Sequence, residues 1–242
     1  MHNDIVIGIT GSIGAGKDTL ANILVQQLPK FGIGVGSFSI FPFAKPLKDF
    51  LKDNFKLQDY QLYTQEGKHK LGWTGPVNKE EMLNNALEYW NPPISFKNPD
   101  KMVRAAWNRV FPDTKGKTIF QLQITPRDLL RLVGTEFFQS LDKLIHIDKV
   151  PQHGNIIIPD VRFDREAKYI KDRFGFIIEI VGVDNPDLKH KSDHESDKGV
   201  SFDYIDQIIN NYYNFDMLNS YVVDYALEDI FKYFRVKTRV AP

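Results

Sequence analysis

The residues with the clearest chemistry stand close to the start of the chain, where Gly11-Ser-Ile-Gly-Ala-Gly-Lys-Asp-Thr19 satisfies the spacing G-x-x-x-x-G-K. Glycines at that spacing let successive backbone N–H groups curl around phosphate oxygens, and the helix that follows directs its positive end at the anion. Lys17 then reaches the β- and γ-phosphates and stabilises charge as a phosphoryl group moves. Gly11, Gly14, Ala15, Gly16, Lys17, Asp18 and Thr19 are therefore expected to hold a nucleotide tail. The residue after Lys17 is Asp18, and the hydroxyl comes one place later at Thr19. Thr19 can cap phosphate oxygens, and Asp18 can hold Mg²⁺ through water or orient an acceptor. A carboxylate in a first helical turn is also favoured by the helix dipole alone.

A second set of residues has the chemistry of an acceptor site. In Asn155-Ile-Ile-Ile-Pro-Asp-Val-Arg-Phe-Asp-Arg-Glu166, three isoleucines bury a strand and Asp160 and Arg162 emerge at its end. Ligands of open α/β sheets sit beyond the carboxyl ends of the strands, so this pair is expected to share a crevice with the glycine loop. Arg162 can grip a phosphate with its planar fork, and Asp160 can take Mg²⁺ or a sugar hydroxyl. Glu166, four residues beyond Arg162, extends the site toward base or ribose, or else forms a local ion pair with Arg162. Arg127 and Arg131 share one helix face and suit a dianionic monophosphate, or a solvated surface; Gly134 and Thr135 follow a turn later. Leu47 and Lys48, in Phe43-Ala-Lys-Pro-Leu-Lys48, are weaker candidates for the same acceptor. His194, with Glu195 and Asp197 nearby, has the setting of a solvated loop histidine, and its better functional reading is part of a lid over phosphates, about 183–200, rather than a metal ligand.

The elements that must position these groups follow from pattern. Residues 4–10 form a short β-branched strand, and Leu20, Ala21, Leu24, Val25 and Leu28 give the next segment helical periodicity. A second strand is expected over Gly34–Ile40, then a short helix with Pro46 in its first turn. From about 54 to 100 the chain breaks into polar and aromatic pieces that end in Asn91-Pro92-Pro93, a stop for any helix, and the stretch of about 54–124 is read as an insertion over the sheet edge; Trp73 is its candidate base contact. Helices are expected at 101–111, at 125–146 with Thr125 as N-cap, at 163–174 and near 216–234. Further strands are expected at 155–159, 176–181 and 205–209. Strands alternating with helices predict an α/β layered fold with a mainly parallel sheet.

Composition narrows the partners. Lys+Arg and Asp+Glu both number 31, so the formal net charge is zero and the basic excess of a nucleic-acid surface is missing. The chain has no cysteine, which excludes disulfides, thiolate chemistry and cysteine-ligated metal sites. No apolar run reaches the roughly 18 residues of a membrane span, so the expectation is a cytoplasmic protein without membrane partner.

Taken in order, Gly11–Thr19 with its Gly-Lys-Asp-Thr ending, Ala44-Lys-Pro-Leu-Lys48, Arg127 through Gly134-Thr135-Glu136, Pro159-Asp160-Val-Arg162 with Glu166, and His194-Glu-Ser resemble the deoxynucleoside monophosphate kinase family of tailed bacteriophages. The resemblance runs from the first strand to about residue 196. It implies a single P-loop kinase domain of three layers with a helical insertion and a lid, and γ-phosphoryl transfer from ATP to a dNMP for DNA precursor synthesis. It also implies Mg²⁺ dependence, a homodimer and, if phage-encoded, residence in the host cytoplasm. By motif, Lys17 and Thr19 would serve the ATP phosphates, Lys48, Arg127 and Arg162 the acceptor phosphate, and Thr135 and Glu166 the nucleoside. Three other readings stand beside it: a P-loop kinase of another phosphorylated acceptor such as dephospho-coenzyme A, a nucleic-acid-linked ATPase, and a nucleotide-binding module without catalysis. The ATPase reading predicts a strand ending in Asp-Glu and a basic groove, where this chain has Ile-Pro-Asp-Val-Arg and no net charge.

Overall fold

The computed structural model of the chain describes residues 4–34, 36–182, 199–211 and 215–240. In chain order its main elements are β1 (Val6–Thr10), α1 (Lys17–Gln27), β2 (Phe38–Ile40), α2 (Lys45–Phe55), α3 (Lys79–Trp90), α4 (Pro99–Val110), α5 (Pro126–Arg131), β3 (Asn155–Ile158), α6 (Asp164–Asp172), β4 (Phe176–Gly182), β5 (Gln207–Asn211), α7 (Phe215–Tyr221) and α8 (Leu227–Val240). They form two compact units, one of residues 1–43 with 150–242, the other Ala44–Lys149.

The first unit is built on a five-stranded sheet in the order β2-β3-β1-β4-β5, with every pairing parallel. Parallel strands covered on both faces read as unbroken apolar runs, and β1 is buried at all five positions. Successive side chains point to opposite faces. Ile7 and Ile9 join the core under α1, with Leu20, Ile23 and Leu24. Gly8 faces the other way, where α6 packs so closely that a Cβ on Gly8 would stand 2.6 Å from Ile170 Cδ1. Helices α7 and α8 complete the α1 side through Leu218, Leu227 and Ile230. The result is the three-layer α/β arrangement expected from the sequence.

The second unit has its own core around Trp107, which is fully buried and in ring contact with Phe55, Phe111, Phe120 and Phe137. Its indole N–H donates to Thr114 Oγ1 at 2.9 Å, so the polar edge of the ring is satisfied. Helices α2, α3 and α4 surround it, together with two short antiparallel pairings, Gly72–Trp73 with Gln123–Ile124 and Val77–Asn78 with Ile119–Phe120.

Several boundaries differ from the sequence reading. The second strand is Phe38–Ile40 only, because Gly34 and Gly36 have left-handed φ of 76° and 93°. Residues 54–100 are not merely polar pieces: Asn78 accepts from the N–H groups of Glu80 and Glu81 and starts α3, which buries Met82, Leu83, Ala86 and Trp90. The helix expected over 125–146 opens at the Thr125 cap as foreseen, then passes into a π-helix at Leu132–Phe138 and ends at Leu141. The last strand is Gln207–Asn211 rather than 205–209.

Candidate active site

The glycine loop connects β1 to α1 at the carboxyl edge of the sheet. Gly11 touches β4: a Cβ there would overlap the Ile180 carbonyl oxygen, so the chain can turn at that point only without a side chain. Gly16 is the N-cap of α1, with φ 100°, and no side chain caps the helix. The first N–H groups of this 11-residue helix are therefore open to an anion, with the helix dipole adding to the attraction.

Lys17 Nζ donates to the carbonyls of Gly11 at 2.8 Å and Ser12 at 2.6 Å, which folds the ammonium over the loop. Burial, and after it the Arg162 guanidinium, lower its pKa to about 8 against the opposing pull of Asp18 and Asp160. Asp18, Asp160 and Arg162 are thus each within electrostatic reach of Lys17. A half-buried ammonium that is held by backbone carbonyls within electrostatic reach of a second cation gains from an arriving phosphate.

Asp160 Oδ1 accepts the backbone N–H of Phe43 at 2.7 Å, which ties the end of β3 to the segment after β2. The Val161 N–H donates to Ile9 O at 3.1 Å and fixes the same turn to β1. Arg162 is exposed. Its backbone N–H, and that of Phe163, donate to Glu166 Oε2 at 2.7 and 3.2 Å. The Glu166 carboxylate thus caps the turn, and its link to Arg162 runs through the backbone. Glu166 is 5% exposed, and burial, helped by the nearby Asp160 charge, pushes its pKa up to about 7 against the pull of those two N–H groups.

The other candidates lie in the second unit. Arg127 and Arg131 stand on α5, whose cap is reciprocal: Thr125 Oγ1 accepts the Asp128 N–H at 3.1 Å and donates to Asp128 Oδ2 at 2.6 Å. Arg131 Nη2 lies 3.9 Å from Asp128 Oδ1, a weak contact between exposed groups. Lys48 Nζ sits 4.2 Å above the Tyr63 ring, a cation–π contact. Leu47 is buried and packs on Gly134. Gly134 and Thr135 fall within the π-helix, whose Gly134 carbonyl lies 3.3 Å from His146 Nε2; His146 Nδ1 in turn lies 2.9 Å from the Tyr89 hydroxyl. That polar chain and the π-turn had no sequence signal. Trp73 is 63% exposed on a two-residue strand. The expected lid, including His194, lies outside the described residues except at Gly199 and Val200.

Among the described residues no cluster of three His, Asp or Glu side chains forms a ready-made metal site. Asp18, Thr19 and Asp160 around an uncapped glycine loop suit a divalent ion that takes most of its ligands from nucleotide phosphates and water, the usual habit of Mg²⁺. No helix among the described residues is long and apolar enough to cross a membrane.

No protein-family model matches the chain. It is similar to a protein of Acanthamoeba polyphaga mimivirus named, provisionally, as a deoxynucleotide monophosphate kinase, at 28% identity over 196 residues covering 80% of each chain. It is also similar to the deoxynucleoside-5′-monophosphate kinase of Escherichia phage T5, at 24% identity over 244 residues, 89% of this chain and 92% of that one.

Proposed function

We propose that this chain is a deoxynucleoside monophosphate kinase that transfers the γ-phosphoryl group of ATP to a dNMP. The observation that carries the reading is the uncapped glycine loop with Lys17 folded over it and Asp160 and Arg162 in electrostatic reach, in a chain whose relatives bear kinase names along most of their length.

In this reading the loop amides and the start of α1 hold the β- and γ-phosphates, and Lys17 takes charge that develops on the oxygens during transfer. An oxygen of the acceptor's phosphate attacks the γ-phosphorus in line. The bond from that phosphorus to the bridging oxygen breaks, and its electron pair leaves on the β-phosphate of ADP. The acceptor is a dianion and carries its own electron pair, so positioning and charge neutralisation dominate over general-base catalysis. Bound Mg²⁺ would neutralise and orient the donor oxygens, with Asp18, Thr19 and Asp160 as the residues to hold it. Arg162, Lys48, Arg127 and Arg131 are each assigned to the acceptor's phosphate. Thr135 and Glu166 are assigned to its nucleoside, Glu166 through the turn that carries Arg162, and Leu47 and Gly134 to acceptor binding more generally. The segment of about 54–124 would serve as the insertion of a single kinase domain, with 183–200 as its lid and a homodimer in the cytoplasm as its working form.

The test is to incubate the protein with ATP, Mg²⁺ and each dNMP, NMP and dephospho-coenzyme A separately. Formation of dNDP in step with ADP supports the reading. ATP hydrolysis without a diphosphate product, or product from dephospho-coenzyme A alone, overturns it.

A further inference from the structure

The phosphate loop rests on two residues that its motif does not contain. Gly182 and Asn211 are register partners and the last residues of β4 and β5. Asn211 Nδ2 donates to the Ala15 carbonyl at 2.8 Å. Gly182 lies against the same residue, since a Cβ on it would stand 2.8 Å from Ala15 Cα; a Cβ on Gly16 would stand 2.6 Å from Asn211 Nδ2. Asparagine is a poor strand former, so sheet pairing gives no reason for it at this position.

In a planar trans peptide the C=O and the next N–H point in opposite directions. The Ala15 carbonyl held toward β5 therefore turns the Gly16 N–H away from the sheet edge. Ala15 is only 2% exposed, so water is poorly placed to replace the carboxamide donor. We infer that Asn211 is a positioning residue for the donor nucleotide: by holding the Ala15 carbonyl it sets the peptide plane that presents the Gly16 N–H to a phosphate oxygen. This rests on the reading of Gly11–Thr19 as the ATP phosphate loop, and adds a residue about 200 positions away in sequence to it.

Calorimetric titration of the full chain with ATP tests it, with the preferred dNMP titrated in parallel. Loss of one hydrogen bond that leaves a buried acceptor unpaired should weaken ATP binding roughly 5–15-fold in Asn211→Ala. Asn211→Asp keeps the shape, loses the donor and adds charge near the phosphates, so a larger loss is expected. Binding of the dNMP should stay within about two-fold of wild type, and the thermal midpoint within a few degrees. If Asn211→Ala does not fold, Asn211→Asp carries the same comparison. ATP affinity unchanged in the variants overturns the inference, and so does an equal loss for ATP and dNMP together with a large drop in midpoint, which marks a merely structural role. Failure of the wild-type protein to bind ATP would instead overturn the nucleotide reading beneath it.

Discussion

The Glu166 carboxylate accepts the backbone N–H of Arg162 at 2.7 Å, so a buried acid sets the direction in which an exposed arginine leaves the sheet. Burial raises the Glu166 pKa from 4.5 to about 7, which means that the folded protein binds this proton more tightly than the unfolded chain. Stability linked to it is therefore greatest at low pH and declines as pH rises from about 4.5 to about 7. Denaturant titration of wild type and Glu166→Gln across that range should show the wild type losing ground by an amount on the order of a few kcal/mol, then levelling off. A constant difference across the range would remove Glu166 as the titrating group.

Lys17 carries the opposite pH signature. Its pKa is lowered to about 8, so the free enzyme loses the ammonium as pH rises through that value. The kcat/KM for ATP should fall above pH 8, whereas kcat, measured with phosphates bound beside the ammonium, should hold to higher pH. Identical profiles for the two parameters would contradict the placement of Lys17 against the donor phosphates.

Replacement of Lys17 by alanine should lower turnover by at least about 100-fold with the fold intact, because the charge it supplies is strongest in the transition state. Steady-state rates alongside circular dichroism check this. Near-wild-type turnover would refute the assignment.

Arg127 stands on a capped helix and Arg131 one turn later. Arg127→Ala should raise the KM for the dNMP about ten-fold or more and leave the KM for ATP within two-fold, as expected for loss of a charge-assisted bond to the acceptor. A KM effect confined to ATP would move Arg127 out of the acceptor site.

The core of Ala44–Lys149 depends on one indole. Trp107→Ala removes ring contacts to Phe55, Phe111, Phe120 and Phe137 and should destabilise the protein by roughly 3–5 kcal/mol, read as a shift in urea midpoint. A change below about 1 kcal/mol would mean that the cluster does not close around this residue.

What the sequence made legible is what short-range pattern decides. The β1–loop–α1 unit could be read because a β-branched run, a fixed glycine spacing and a helical apolar stripe follow one another in 24 residues, from Asp4 to Gln27. The end of β3 was legible for the same reason, and Asp160 and Arg162 at that end both influence the Lys17 charge. Helix α3 also had its signal, an asparagine cap before Met82, Leu83, Ala86 and Trp90 at helical spacing, masked by the polar residues between them. Glu166 was placed four residues from Arg162 correctly, but only the folded backbone shows that the carboxylate turns to amides rather than to the guanidinium. Asn211 and the π-turn at Leu132–Phe138 were not legible, since both depend on contacts between segments far apart in the chain or on a hydrogen-bond shift that no periodicity records.

The most direct test follows the phosphoryl group itself. ATP labelled at the γ-phosphorus, incubated with Mg²⁺ and a single dNMP, should place the label in the β-position of the dNDP with none released as inorganic phosphate, and Lys17→Ala should abolish the transfer. Label recovered as inorganic phosphate, or transfer undiminished in Lys17→Ala, would contradict the account.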